Sequence, residues 1–413
     1  MNELTGACVF AQSGGPTAVI NASALGVIRT ALDTGCITRV LGAAYGIKGV
    51  LDDKLYDMGS EETDELELLR NTPASALGSC RYKLANPEAD ATDYNRILEI
   101  FKKYNVRYFF YNGGNDSMDT CNKISKFMQT AGYECRVIGV PKTIDNDLYG
   151  TDHCPGFGSA AKYIATSCAE MWHDAHVYDT GMITVVEIMG RHAGWLAGSA
   201  ALAGLTGCGP DLIYLPETDF DMDRFVQDVS DIYEKTGKCI VAVSEGIHYA
   251  DGRFVSEAEV SSTDGFGHAQ LGGLASKLAH IVKMKTGAKV RGIELSLLQR
   301  CSSHTASLTD VNEAFQAGKT AVEAAVAGAT DKMVAFRCTR GADGYRCETV
   351  LEPLEIVANV EKKVPREWIN AAGNGVEQPF IDYVLPLIQG EAKVPMEMSL
   401  PRFARLKKVL ATP

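Results

Sequence analysis

The segment Val137-Ile138-Gly139-Val140-Pro141-Lys142-Thr143-Ile144-Asp145-Asn146-Asp147 runs from a short apolar stretch straight into a lysine and two carboxylates. An uninterrupted apolar run that ends in a turn reads as a strand buried on both faces, the signature of a parallel sheet. Acids two positions apart, with a lysine close by, are costly to leave as a plain turn. At the carboxyl end of a strand in an open α/β sheet they stand where ligands bind. The simpler alternative is an Asx-type turn with solvated acids. Phosphoryl transfer needs the same parts: a carboxylate to accept a hydroxyl proton, acids around a metal, and cations on the transferred group.

Working outward, similar units recur. The runs Ala7–Ala11, Tyr108–Asn112, Ile183–Ile188, Ile240–Val243 and Ile293–Leu298 read as further strands, and Ala18–Leu32 and Asp116–Thr130 carry helical spacing. Strands alternating with helices indicate an α/β fold with mostly parallel sheets covered on both faces. A chain of 413 residues is too long for one ordinary core. Two Rossmann-like lobes are therefore expected, with the active site in the cleft between them. The Gly/Pro-rich turn Pro155–Gly158 and the turn at Gly287 are the expected crossings, dividing the chain into residues 1–156, 157–288 and 289–413.

Two glycine turns follow strands. Ser13-Gly14-Gly15-Pro16-Thr17 lets the backbone come close to an anion, with a helix N-terminus behind it and Pro16 suited to the first turn. Such turns are common, and this one has the spacing of neither a Walker A loop nor a dinucleotide fingerprint. Gly113-Gly114-Asn115-Asp116-Ser117 is of the same type, and helix capping alone accounts for its polar residues.

Composition narrows the field. Apolar residues make up 46% of the chain and charged residues 22%, the profile of a globular enzyme. A net charge of −12 argues against a nucleic-acid partner, while arginines in a cleft can still hold an anionic substrate. The twelve cysteines are scattered singly without a CxxC pair, which fits reduced thiols in the cytoplasm better than a disulfide framework or a zinc site. The start MNELTGACVF lacks the character of a signal peptide. The uncharged stretch Ala193–Pro210, interrupted by glycines, reads as buried packing rather than a membrane span.

Ser-Gly-Gly, Gly-Gly-x-Asp-Ser, Pro-Lys-Thr-Ile-Asp-Asn-Asp, Met189-Gly190-Arg191, Ser244-Glu245-Gly246 and Gln299-Arg300 resemble, in this order and at about this spacing, the phosphofructokinase family. The likeness spans roughly residues 5–305, and the tail from Phe380 to Leu387 is also similar. It implies the phosphofructokinase fold, with residues 1–156 as a phosphoryl-donor lobe completed by part of 289–413. Residues 157–288 would form the sugar-phosphate lobe, and 289–413 the returning strand and C-terminal helical segments. It further implies that Asp145 takes the proton from the sugar's 1-hydroxyl, that Asp147 assists, and that Thr143 contacts the sugar or the transferred group. Met189, Gly190, Arg191, Glu245 and Arg300 would hold the sugar phosphate. Arg81, Gly14, Gly15, Gly114, Ser117, Asp116 and Lys142 would hold the donor. Arg291 would reach the site of a neighbouring subunit, which implies a homodimer or homotetramer. Mg²⁺ would sit near Asn115 and Asp116.

The resemblance separates the donors at two positions. ATP-dependent members resemble Gly-Gly-Asp-Gly-Ser and Pro-Gly-Thr-Ile-Asp-Asn-Asp; Asp116 and Lys142 here match the pyrophosphate-dependent type. A carboxylate at 116 adds bulk and repels a further phosphate, and the lysine neutralises compact pyrophosphate. Asn115 replaces a metal-associated aspartate. Met182 and Leu297 stand where relatives place sugar-phosphate ligands, so residues of Tyr249–Val290 would have to substitute, or the acceptor would be another ketose phosphate such as sedoheptulose 7-phosphate. ATP as donor, and a non-catalytic regulatory subunit, are the further alternatives; intact Asp145, Asp147 and Arg191 weigh against the latter.

Overall fold

The computed structural model describes residues 4–256, 273–341, 343–358 and 360–413. Its larger sheet has the order β11-β10-β5-β4-β1-β2-β3. Strands β1 (Gly6–Gln12), β2 (Ile37–Ala43), β4 (Val106–Gly113) and β5 (Arg136–Pro141) form its parallel centre. β3 (Leu55–Asp57) closes one edge antiparallel to β2, and the hairpin β10 (Lys332–Gly341) and β11 (Gly344–Pro353) closes the other. The smaller sheet has the order β7-β8-β6-β9, from Leu212–Tyr214, Lys238–Ser244, Met182–Ile188 and Val290–Glu294, and all its pairings are parallel.

Alternation along β1 shows why this sheet needs a cover on each face. Cys8 and Phe10 pack with Leu25, Ile28, Ala317 and Ala321 on one side, from the helices Ile20–Leu32 and Leu308–Val326. Ala7, Val9 and Ala11 pack on the other with Ile97, Phe101, Met118 and Ile124. Every residue of β1 is buried. The two helices on the first face approach closely because Gly26 and Gly318 carry no side chain: a Cβ at Gly26 would lie 2.1 Å from the Phe315 carbonyl oxygen. In the smaller sheet, Val186 and Ile188 face one apolar cluster and Ile183 and Val185 the other.

In the larger sheet β1 lies between β2 and β4, so the loops after β1 and β4 leave in opposite directions and open a crevice at their carboxyl ends. In the smaller sheet β6 lies between β8 and β9 and does the same. The helix Phe157–His176 links the sheets at the expected Pro155–Gly158 crossing. Its start is held by Asp310, whose two carboxylate oxygens accept from Gly156 N and Ser159 N, both at 2.9 Å. Asp310 is 2% exposed. Asp310→Ala leaves both donors unpaired, and we expect it to destabilise the chain by about 2–3 kcal/mol, read from the urea midpoint.

Several expectations need correction. The helix behind the first glycine turn begins at Ile20, so Pro16 lies in the loop and not in the first helical turn. The apolar run Ile293–Leu298 is a strand only as far as Glu294; Ser296 has a φ of 43° and Leu298–Cys301 is a helical turn. Gly287 ends the helix Leu274–Thr286 within the smaller sheet's layer, and β9 pairs with β6. The chain regains the larger sheet only later, along Leu308–Val326 into β10. Besides the expected returning strand and helical segments, the part after residue 289 contains a hairpin with two ten-residue arms. The expected burial of Ala193–Pro210 holds only for its first part, since Ala193–Ala200 is buried whereas Gly204–Gly207 is exposed, Leu205 at 55%. Among the described residues no helix is long and apolar enough to cross a membrane.

Candidate active site

A cavity of about 750 Å³ opens where the carboxyl ends of the two sheets face each other. The larger sheet supplies three loops to it. Gly14 and Gly15 follow β1, Gly114 to Ser117 follow β4, and Lys142 to Asp147 follow β5. The smaller sheet supplies Met189 and Arg191 after β6, Glu245 after β8, and Arg300 beyond β9. Of the expected residues, Gly190 lies just behind the wall, its N–H donating to Glu245 Oε1 at 3.4 Å. Arg291 stands apart, exposed on β9 and 3.8 Å from Asp174. Met182 is buried in the apolar layer beneath the smaller sheet, whereas Leu297 lines the cavity.

Three cations ring the first glycine turn. A Cβ at Gly14 would sit 3.2 Å from Lys142 Nζ; one at Gly15 would sit 3.1 Å from Arg300 Nη1 and 3.8 Å from Arg81 Nη2. Glycine is needed here because any side chain would occupy the space the cations share, and Gly14 has a φ of 75°. Lys142 Nζ donates to the Gly15 carbonyl at 2.6 Å, and the residue is 3% exposed. Burial, partly offset by Asp145, pulls its ammonium down to about 8, and Arg81 and Arg300 push in the same direction as burial. Burial and then the neighbouring Arg81 also lower Arg300. Cations crowded until they resist their own charge describe an anion site. Arg300, expected on the sugar phosphate, thus lies beside Gly15.

The acids lie beside them. Thr143 Oγ1 accepts from Asp145 N at 3.1 Å, which sets the turn. Between the acids Asn146 has a φ of 55°, a left-handed conformation that asparagine tolerates. It is fully buried, accepting from Cys154 N at 2.9 Å and donating to Tyr383 Oη at 2.8 Å. Loss of bulk water raises Asp145, against the pull of Lys142 and Arg191. The same loss of water, with Asp145 and Glu361 nearby, pushes Asp147 up to about 7. Glu245 is likewise raised to about 7, by desolvation and then by Asp145.

Arg191 is positioned by its backbone. A Cβ at Gly246 would lie 1.9 Å from the Arg191 carbonyl oxygen, so only glycine lets the ends of β6 and β8 meet there. Ser244 Oγ donates to the Gly190 carbonyl at 2.5 Å and closes the same junction. Arg191 Nε is buried and has no hydrogen-bond partner among the described residues. A buried guanidinium donor left unpaired is a cost the fold bears at the edge of the cavity that Arg191 lines.

Sequence reasoning missed His192, Ala193 and Glu361, which line the cavity, as do Pro16 and Ile144 within the quoted turns. Glu361 arrives from the C-terminal segment, where it bridges Leu148 and where Lys362 N donates to the Asp147 carbonyl at 2.7 Å. That segment also explains Asn115. With its amide oriented to suit its surroundings, Asn115 donates to the carbonyls of Val357 and Val360 at 3.3 and 3.2 Å. An aspartate there would set a carboxylate against two carbonyl oxygens. Asp116 opens the helix Asn115–Thr130, 3.9 Å from Lys83 Nζ. Of the segment Tyr249–Val290, residues 257–272 lie outside the described residues.

The phosphofructokinase family model matches residues 7–325. The pyrophosphate–fructose 6-phosphate 1-phosphotransferase of Halomonas elongata is 45% identical over 403 residues, covering 97% of this chain and 96% of that protein. The enzyme of the same name from Xanthomonas campestris is 46% identical over 411 residues, covering 98% and 97%. The crystal structure of a pyrophosphate-dependent phosphofructokinase from Nitrosospira multiformis matches with a TM-score of 0.89 and 40% identity, over 99% of this chain and 98% of that one. With its paired sheets, its cleft and this full-length similarity, the chain belongs to the phosphofructokinase family.

Proposed function

We propose that this enzyme transfers a phosphoryl group from pyrophosphate to the 1-hydroxyl of fructose 6-phosphate, reversibly and with Mg²⁺, giving fructose 1,6-bisphosphate and orthophosphate. The observation that carries this reading is the ring of Lys142, Arg81 and Arg300 around Gly14 and Gly15, lining one cavity together with Asp145. Lys142 occupies the floor beside those glycines and Asp116 stands at the neighbouring helix start, so the donor side is cationic, compact and closed to a further phosphate. Relatives of this chain bear the corresponding name.

Asp145 accepts the hydroxyl proton as the sugar oxygen attacks. The cations hold the pyrophosphate, bear the charge of the leaving orthophosphate and fix the line of attack, which supplies most of the catalysis in phosphoryl transfer. Arg191 lines the acceptor's side of the cavity with Glu245 beside it, and with Lys142 steadies the charge that develops on the transferred group. Asp145 and Asp147, both held partly out of water and joined by Glu361, suit a divalent cation, because added positive charge relieves their mutual repulsion. Asp116 and the Asn115 oxygen are further candidate donors. Bound Mg²⁺ would neutralise phosphate charge next to these groups. The site is read as that of a cytoplasmic homo-oligomer, with Arg291 directed to a partner.

The pH dependence follows from signs. Asp147 is raised, so the ionised acid pair is lost as pH falls through about 7. Lys142 is lowered, so its charge is lost as pH rises through about 8. We expect kcat/KM for pyrophosphate to trace a narrow bell between those limbs, the acid limb belonging to the Asp145–Asp147 pair as a unit. Lys142→Arg should move the alkaline limb upward while leaving the acid limb in place. Comparing kcat/KM for fructose 6-phosphate with that for sedoheptulose 7-phosphate tests the acceptor. A clear preference for the seven-carbon sugar would overturn the assignment and point to the opening beside Leu297.

A further inference from the structure

On the outer hairpin of the larger sheet, Cys338 of β10 and Cys347 of β11 are direct Cα partners in an antiparallel ladder. Residues so paired have Cα atoms about 4.5–5.5 Å apart, inside the roughly 4.4–6.8 Å range a disulfide spans. Both carry free thiols and both are half-buried, within reach of a small solute. Twelve cysteines that look solitary in the sequence therefore include one facing pair.

The surroundings differentiate the two sulfurs. His153, 1% exposed, lies 3.8 Å through Nδ1 from Cys338 Sγ, and its ring is held between Asp152 Oδ1 at 3.0 Å and Glu313 Oε2 at 2.7 Å. Burial opposes charge on this ring, yet its bonds to Asp152, Cys338 and Glu313 raise it well above its ordinary value. With a carboxylate on each nitrogen, the ring is held as imidazolium and has no lone pair for a metal. Tyr345 Oη lies 3.4 Å from Cys338 Sγ. A hydrogen bond with Cys347, and the charge on His153, overcome burial and draw the Cys338 thiol down to about 6. The bond with Cys338, and then burial, hold the Cys347 thiol protonated. One sulfur is a nucleophile and the other a resolving thiol beside it.

We propose that Cys338 and Cys347 form a reversible redox modification site that closes an intrachain, cross-strand disulfide on exposure to hydrogen peroxide. The Cys338 thiolate attacks one peroxide oxygen, forming an S–O bond and breaking O–O; the departing hydroxide takes a proton and leaves as water. The Cys347 thiol then attacks the sulfenic sulfur, forming S–S, and its proton leaves with the hydroxyl as a second water. The two sulfurs together lose two electrons and the peroxide gains them. None of these groups lines the phosphoryl-transfer cavity, so the site is separate from that reaction.

The test treats the full chain with hydrogen peroxide, alkylates remaining thiols and maps peptides by mass spectrometry. We expect the Cys338–Cys347 cross-linked peptide to become the dominant oxidised species, the free-thiol count to fall by two per chain, and dithiothreitol to restore both. In Cys347→Ser, dimedone should label Cys338 and no intrachain link should form. The proposal is overturned if the wild-type chain yields no such peptide. It is equally overturned if Cys338 oxidises no faster than the half-buried Cys80, Cys208 and Cys301. Because the wild-type chain alone distinguishes these outcomes, a poorly folding variant does not obscure the result.

Discussion

Asp145→Asn is expected to lower kcat by about a thousandfold, within the range a positioned general base supplies. The amide is isosteric, and the bond that shapes the turn runs from the backbone N of residue 145 to Thr143 Oγ1, so the loop should keep its form. The change removes the proton acceptor and little else from the acceptor's side. It also removes the negative charge that helps keep Lys142 protonated, so the alkaline limb of the pH profile should shift downward in the variant. Steady-state kinetics read both effects. A loss of less than tenfold would mean that another group, with Asp147 first in line, takes the proton.

The second large effect concerns the donor. Lys142→Gly combined with Asp116→Gly removes the ammonium that spans Gly14 and Gly15 and the carboxylate at the start of the neighbouring helix. Loss of one preorganised charge of this kind costs about a hundred- to a thousandfold, and we expect kcat/KM for pyrophosphate to fall by about that factor. The two arginines remain, so binding should weaken rather than vanish. Both substitutions also open space beside the glycines, so any gain of ATP turnover should appear in this variant and not in Lys142→Gly alone, where Asp116 still repels the added phosphate. Unchanged pyrophosphate kinetics would remove Lys142 from the donor site.

Much of this was legible in the chain before folding. Strands such as Tyr108–Asn112 and Val137–Val140 extend by only one or two residues at each end, because residues buried on both faces leave a continuous apolar run. The chemistry of Lys142, Asp145 and Asp147 was legible because the three share one turn. The run Ile293–Leu298 misled because its apolar character continues past the left-handed turn at Ser296. Arg81, Arg191 and Arg300, each unremarkable in sequence, acquire meaning only when the strand ends meet at Gly15 and Gly246. Glu361 lies more than two hundred residues from Asp147, and the hold of Tyr383 on Asn146 spans a similar separation. Local patterns carry no trace of such pairings. The same holds for Cys338 and Cys347, which only the hairpin register makes partners.

The most direct test offers the wild-type chain fructose 6-phosphate and Mg²⁺ with either pyrophosphate or ATP, and follows fructose 1,6-bisphosphate. We expect turnover with pyrophosphate and, at equal concentration, none with ATP above background. Turnover with ATP and none with pyrophosphate would contradict the reading of Lys142 and Asp116 as the groups that select the donor.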